Sequence, residues 1–217
     1  MDKTKRLNFS SKNISWKKVF ALLIWMYFSI LMVQITLEYI PIQLDVSFLS
    51  IKQEEVTAVF GYIPMFYIHV YSSLFVLVIG MVQLFQLKPI VHRVLGYVYV
   101  FILILFAAPS GIFIGIYANG GGWAQLAFVL LGVLWLFYTI RSMMRIRNQD
   151  YKGHQFDMWR SYALTLSALT LRAWKVGIVY FFQPNPLDAY IIVAWLGWVL
   201  NLIGIELYIH HKIKNYE

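Results

Sequence analysis

The residues of this chain whose types could do chemistry are five histidines, and one arginine set deep in an apolar run. The absence of cysteine removes disulfides, thiolate metal sites, iron–sulfur clusters and cysteine nucleophiles. His92 and His154 stand at the ends of different apolar runs, next to basic residues, so they match in depth. His154 and Asp157 are spaced i, i+3 and can share a helix face. With Glu206 or His210 they compose a nitrogen and oxygen set suited to a transition metal. His69 lies 19 residues before Lys88 (88 − 69 = 19). At the helical rise that is about 28 Å, which puts it in the opposite leaflet. No second histidine shares that depth, which disfavours a buried bis-histidine haem there. The candidate cofactor-binding residues are therefore His69, His92 and His154, with haem b or a transition metal as the candidate group. The metal set would be His92, His154, Asp157 and Glu206. Histidines at helix ends also serve as solvated residues or as caps on carbonyls, and that reading stays open.

Arg172 lies 11 residues past Ser161, roughly 16 Å into its run. A cation at that depth costs about 2.5–3.5 kcal/mol on insertion scales. It must face the interior and find acceptors, and Asn201, in the middle of the last apolar run, is the expected partner by depth. Lys175, one turn further out, can extend to the surface. Arg160 and Glu206 fall nearer the basic end. The Arg172–Asn201 pair reads either as a clamp between two helices, worth about 1–2 kcal/mol, or as an anion or proton site facing a cavity.

These residues need long apolar helices to position them. The chain of 217 residues is 60% hydrophobic and 13% charged, against roughly 25% charged in soluble domains. Six apolar runs stand out: Lys18 to Tyr39, Tyr62 to Leu87, Val91 to Ala118, Gly122 to Ile146, Met158 to Phe182, and Leu187 to His210. Each exceeds the ~20 residues that cross a bilayer core. They are continuous rather than alternating, which excludes barrel strands. The fold class is all-α, a polytopic bundle of six transmembrane helices. Residues 1–17 form a basic segment, residues 18–210 the membrane domain with an outer loop at 40–61, and residues 211–217 a tail.

Lysine and arginine fix the orientation. Lys3, Lys5, Arg6, Lys12, Lys17, Lys18, Lys88, Arg93, Arg141, Arg145, Arg147, Lys152, Arg160, Lys212 and Lys214 all fall on one side of the six runs, while the loops opposite carry Lys52 alone. Both termini are expected in the cytoplasm. The net charge of +8 follows from this asymmetry and does not point to nucleic acid. The first run is too long, and lacks a small-residue site after it, for a cleaved signal. Lys88-Pro89, Asn119-Gly120-Gly121-Gly122 and Gln183-Pro184-Asn185-Pro186 are the breaks between runs. Pro109 lies inside the third run and should kink it. Val46 to Ile51 reads as a short amphipathic piece at the interface. Gly111 and Gly115 form a G-x-x-x-G pair that permits close packing. Tyrosines and tryptophans near the run ends read as an aromatic belt. No P-loop, H-E-x-x-H or G-x-S-x-G is present, so no catalytic residue is assigned.

Three stretches together carry a resemblance. They are His69 with the apolar helix up to Gly80, then His92-Arg93-Val94-Leu95-Gly96-Tyr97-Val98-Tyr99, then His154 followed by Arg160-Ser161-Tyr162-Ala163-Leu164-Thr165 and Thr170-Leu171-Arg172. In this order they resemble a bacterial family of predicted membrane proteins, domain of unknown function 2306, over roughly Tyr62 to Glu206. The chain departs from that pattern at Asp157, where an aromatic residue is expected. The resemblance implies a bacterial inner-membrane location and directs attention to His69, His92, His154, Arg160 and Arg172, but implies no chemistry. Three functions stay open. One is a histidine-dependent haem or metal protein tied to redox chemistry. The second is a small proton-coupled transporter using Arg172, Asn201 and His69. The third is an assembly partner without a site of its own. The expected surroundings are the lipid bilayer and either a membrane-protein partner or a second copy.

Overall fold

The computed structural model describes residues 16–83 and 88–214, and for residues 17, 18, 21, 22, 24 and 25 the backbone alone. The basic segment before Trp16, the end of the second predicted run at 84–87 and the last three residues lie outside the described residues. Nine α-helices follow one another: α1 (Trp16–Leu37), α2 (Gln53–Ala58), α3 (Tyr62–Val82), α4 (Pro89–Ile102), α5 (Ala108–Ile116), α6 (Gly121–Arg147), α7 (Tyr151–Thr165), α8 (Ser167–Phe182) and α9 (Pro186–Lys214), counted among the described residues. No strand occurs among the described residues.

Four stretches are long and apolar enough to cross a membrane: Tyr62–Val82, Pro89–Ile116, Gly121–Arg147 and Pro186–Lys214. They coincide with four of the six predicted runs. Large apolar side chains such as Phe75, Phe101, Phe137, Phe181 and Phe182 stand exposed on the outer faces of the helices. Lipid tolerates such faces and water does not. The remaining two runs differ in form. The fifth is divided at Leu166 into α7 and α8. Thr165 donates back to the Ser161 carbonyl at 3.1 Å, a bond that bends helices. In the first run, the described apolar part of α1 is the shorter Met26–Leu37. It packs through Met32 and Phe28 on Leu77 of α3 and Leu169 of α8.

Pro109 acts as its position implies. Its ring cannot sit under the carbonyl four residues back, and the helix widens into a π-turn over Leu103–Ala107. Here the Ala108 N–H donates to the Leu103 carbonyl. Two carbonyls at the widening take side-chain donors. Ser110 Oγ bonds the Phe106 carbonyl, and His69 Nδ1 bonds the Ala107 carbonyl at 3.0 Å. The imidazole lies against Gly111, where a Cβ would approach its Cε1 to 2.8 Å. Gly115 instead faces Phe128 of α6. The glycine pair thus admits two different neighbours. Gly120 (φ +86°) and Gly121 (φ +72°) make the turn into α6 in a left-handed conformation that side chains resist.

The outer loop corrects the expectation of an interfacial piece at Val46 to Ile51. Ser47–Ile51 forms a 3₁₀ turn whose Leu49 is fully buried among Tyr39, Tyr62, Phe66 and Tyr67. Tyr67 donates to the Gln43 carbonyl at 2.6 Å and Tyr71 to the Tyr39 carbonyl at 2.8 Å. Lys52, 1% exposed, pairs with Glu55 at 2.5 Å and donates to the Tyr117 carbonyl. The loop is therefore a cap on one end of the bundle.

Candidate functional site

The other end of the bundle, where α3 stops, α4 begins and α6 turns into α7, holds the polar chemistry. It divides into three layers. Deepest is a hydroxyl network joining α4, α6 and α7. Thr139 donates to the Trp135 carbonyl at 2.8 Å, and Thr139 and Ser161 hydroxyls lie 2.7 Å apart. Trp135 Nε1 donates to Thr165 Oγ1 at 3.0 Å. Tyr99 OH is 3.0 Å from both Ser161 Oγ and Thr165 Oγ1. Donor counting closes this network. Thr139 and Thr165 spend their protons on carbonyls, Ser161 spends its own on Thr139, and Tyr99 donates to Ser161 or Thr165. No proton is left to pass on, so the network works as a lock between helices.

Beside it, toward α9, lies a charge cluster centred on Asp157, which is fully buried. Arg141 grips both its oxygens, at 2.7 and 2.5 Å. Arg145 approaches to 3.2 Å and Arg160 to 2.9 Å. Arg160 makes a second two-pronged pair with Glu206, at 2.5 and 2.8 Å. Such bidentate pairs are the strongest of charged hydrogen bonds. Arg145 also stands 3.8 Å from Asp150. Three guanidiniums thus meet three carboxylates. The Arg141 guanidinium also covers the Phe137 and Tyr138 rings, at 4.9 and 5.0 Å.

Toward α4 lies a cavity of about 780 Å³, whose lining includes both His92 and His154. Arg93 and Lys152 are in the same lining, and no aspartate or glutamate is, among the described residues. His154 is held from behind. Its Nδ1–H faces the Ser142 carbonyl at 3.0 Å and the Ser142 hydroxyl at 2.7 Å. That hydroxyl in turn donates to the His154 carbonyl at 3.3 Å. Ser142 is fully buried, so the imidazole has a fixed backing and its Nε2 is free of Ser142. His92 is exposed on the first turn of α4, and its carbonyl accepts from Gln83 Nε2 at 2.9 Å. Inside, Tyr162 is 7% exposed, and among the described residues neither its hydroxyl nor the Gln83 Oε1 has a partner. Both residues line the cavity. The Tyr162 ring rests where a side chain at Gly80 would stand.

The geometry redistributes the residues that sequence brought together. His92 and His154 share one cavity. Asp157 and Glu206 do not join them, because their oxygens are taken by Arg141, Arg145 and Arg160. Among the described residues no three histidines, aspartates or glutamates converge as a metal site would need. The expected set of His92, His154, Asp157 and Glu206 is thus not assembled. Asp157 uses its i+3 neighbour Arg160 rather than its i−3 neighbour His154. Arg172 and Asn201 also part company. Asn201 Nδ2 donates to the Ala163 carbonyl at 3.1 Å and to Thr170 Oγ1 at 2.9 Å. Arg172 bonds its own helix at the Ala168 carbonyl, at 2.5 Å. Neither His69, Arg172 nor Asn201 lines this cavity. A second, more open groove on α9 is lined by Trp198, Glu206 and His210.

Sequence reasoning missed Arg141, Arg145, Ser142, Gln83 and Tyr162. Arg141 and Arg145 had a legible signal, since i, i+4 spacing puts both guanidiniums on one face of α6. The other three had none short of knowing which helices meet.

An all-helical chain with four apolar crossings and its polar residues turned inward belongs to the class of helical integral membrane proteins. A family model described as "Predicted membrane protein (DUF2306)" matches residues 66–209, and the chain belongs to that family. Comparison with curated proteins and with solved structures returned no match.

Proposed function

We propose that this is a bacterial inner-membrane protein of six spans with both termini cytoplasmic, and that it binds a cofactor-sized ligand in the cavity between α4, α6 and α7 through His92 and His154. The observation that carries the reading is the joint lining of one cavity by the two histidines, one of them backed by a buried serine. A ligating histidine is held in this way through its second ring nitrogen. Haem b is the cofactor this arrangement suits best. It asks for an axial imidazole, for cations near its carboxylates, which Arg93 and Lys152 offer, and for apolar walls, which Val100, Met143 and Met158 offer. A metal held by side chains alone fits less well, because the nearby carboxylates are engaged by arginines.

The six-span part draws on length and charge. α1 has 22 residues, about 33 Å of helix. The Met158 to Phe182 run continues hydrogen bonding through Leu166, whose N–H reaches the Tyr162 carbonyl at 2.9 Å. The cavity then opens on the cytoplasmic side with the basic loops.

The test is an absorbance spectrum of the detergent-purified protein, oxidised and reduced, before and after titration with haemin, with metal analysis on the same sample. A Soret band that is shifted or lost in His154→Ala, and retained in His210→Ala, is expected. A folded protein that stays colourless and does not take up haemin would overturn the histidine-ligand reading.

A further inference from the structure

Two side chains on the cavity wall keep polar atoms that the fold does not use. Among the described residues, the Tyr162 hydroxyl and the Gln83 Oε1 are buried without a hydrogen-bond partner. Buried polar atoms in that state are rare in folded proteins. A glycine holds each of the two side chains in place. The Tyr162 ring, 7% exposed, fills the space of a side chain at Gly80, where a Cβ would come to 2.5 Å from it. The Gln83 amide lies over Gly96, where a Cβ would come to 3.3 Å from its Nε2. The amide's orientation is also fixed, because Nε2 donates to the His92 carbonyl at 2.9 Å and a carbonyl only accepts. Oε1 is therefore an acceptor that asks for a donor, whereas the Tyr162 hydroxyl can donate or accept. Gly80 and Gln83 are spaced i, i+3, so the tyrosine ring and the glutamine share one face of α3. The wall around them offers Val100, Met143, Met158 and Trp159. Methionine sulfur and aromatic faces favour contact with an aromatic ring. The volume of about 780 Å³ falls within the range of small-molecule sites, roughly 300–1,000 Å³.

We propose that the cavity binds a quinol, an aromatic ring with free hydroxyls on an apolar body, with a hydroxyl donating to Gln83 Oε1 and a ligand oxygen accepting from Tyr162. The reduced form is the one that fits. A quinone oxygen satisfies Tyr162 but has no hydrogen for Gln83, and leaves an acceptor facing an acceptor. This rests on the cavity being the binding site, as above, and not on histidine ligation. Aromatic and aliphatic alcohols share the hydroxyl, and the experiment separates them.

The full chain, purified in dodecyl maltoside, is dialysed to equilibrium under nitrogen against duroquinol, duroquinone, the dimethyl ether of duroquinol, and decanol, and its unfolding midpoint is read with each. Duroquinol is expected to bind saturably and to raise the midpoint. Its affinity should exceed that of duroquinone by about tenfold or more, the worth of a hydrogen bond to a buried acceptor. The ether keeps the ring without a donor and should bind as weakly as the quinone. Equal affinity for quinol and quinone, or for quinol and ether, would overturn the donor assignment. Decanol bound as tightly as duroquinol would overturn the aromatic ring. No binding of duroquinol would overturn the proposal and leave water as the partner of both atoms. Gln83→Leu is expected to abolish the preference for quinol over quinone, a ratio that a merely structural glutamine would not move. A preference that survives would overturn the location. Should Gln83→Leu not fold, Tyr162→Phe decides: it is expected to weaken quinol and quinone alike by about tenfold, and unchanged affinity would overturn the location. Duroquinol binding in a protein that rejects haemin would sink the histidine reading and leave this one standing. Haemin uptake that depends on His154, in a protein indifferent to duroquinol, would do the reverse.

Discussion

Two basic regions lie side by side at one end of this bundle, and they differ in how their charge is met. Around Asp157, the guanidiniums of Arg141, Arg145 and Arg160 stand within 3.2 Å of a carboxylate and the pairs interlock. In the neighbouring cavity, Arg93, Lys152, His92 and His154 share a lining without any acid among the described residues. The same α7 serves both, with Asp157 and Arg160 turned to one side and His154, Met158 and Tyr162 to the other. A saturated cluster is a fastening, since its hydrogen-bonding capacity is used within the chain. A basic cavity lined by polar atoms without partners among the described residues has capacity left over, which is why the proposed ligand is placed there. The contrast also disposes of a tempting reading of Asp157 and Glu206. Charged residues near a membrane default to functional hypotheses, yet here they hold α6, α7 and α9 together.

The comparison breaks most sharply at Asp157. Asp157→Asn leaves three arginines without their shared, fully buried carboxylate. Removing one partner of a buried ionic network costs about 3–5 kcal/mol, so this variant should show the largest fall in unfolding midpoint in detergent. Glu206→Gln removes a carboxylate that is 43% exposed, and solvent screening reduces its cost to roughly 1 kcal/mol or less. If the two variants were equally destabilised, the cluster would not be centred on Asp157, and the distinction between fastening and site would lose its basis.

Parts of this arrangement were legible in the sequence, and the reasons are physical. Apolar run length gave six runs, and four of them are helices long and apolar enough to cross a membrane, because the bilayer imposes a minimum that few soluble helices meet with so little charge. Pro109 announced a distortion because its ring forbids a regular helix wherever the rest of the chain lies, though not that the distortion would be a π-turn with His69 filling it. Depth counting placed His92 and His154 at one level, and they do share a cavity. It failed for Arg172 and Asn201, because equal depth says nothing about rotation. Asn201 turns to Thr170, and Arg172 turns to its own backbone. Asp157 shows the same limit within one helix. Residues at i−3 and i+3 are both within reach, and the approach of α6 with its two arginines selects the Arg160 side. The outer loop, folded over Leu49 and Lys52, was illegible because its partners come from α1, α3 and the end of α5.

A smaller effect sharpens the comparison within the hydroxyl lock. Tyr99 is 1% exposed, and its OH lies between Ser161 and Thr165. Tyr99→Phe removes one donor from a network in which every donor is used. The expected loss is about 1 kcal/mol, read as a modest drop in unfolding midpoint. No loss would mean that these hydroxyls do not fasten α4 to α7.

The smallest effect is the most discriminating. Tyr162 sits one residue after Ser161, is almost as buried as Tyr99, and carries the same hydroxyl. Burial alone predicts the same penalty for removing it. Hydrogen bonding predicts otherwise, because the Tyr162 hydroxyl has no partner among the described residues. Replacing an unsatisfied buried polar atom with hydrogen loses no bond, and such changes are near neutral or stabilising. Tyr162→Phe, measured without added ligand, should therefore unfold at or slightly above the midpoint of the unsubstituted protein. Its affinity for the cavity's ligand should fall. Two tyrosines of like burial, one needed for stability and one for binding, would separate the lock from the site in a single pair of variants. A loss of stability in Tyr162→Phe equal to that in Tyr99→Phe would place Tyr162 within the fastening and leave the inner wall of the cavity without its recognition group.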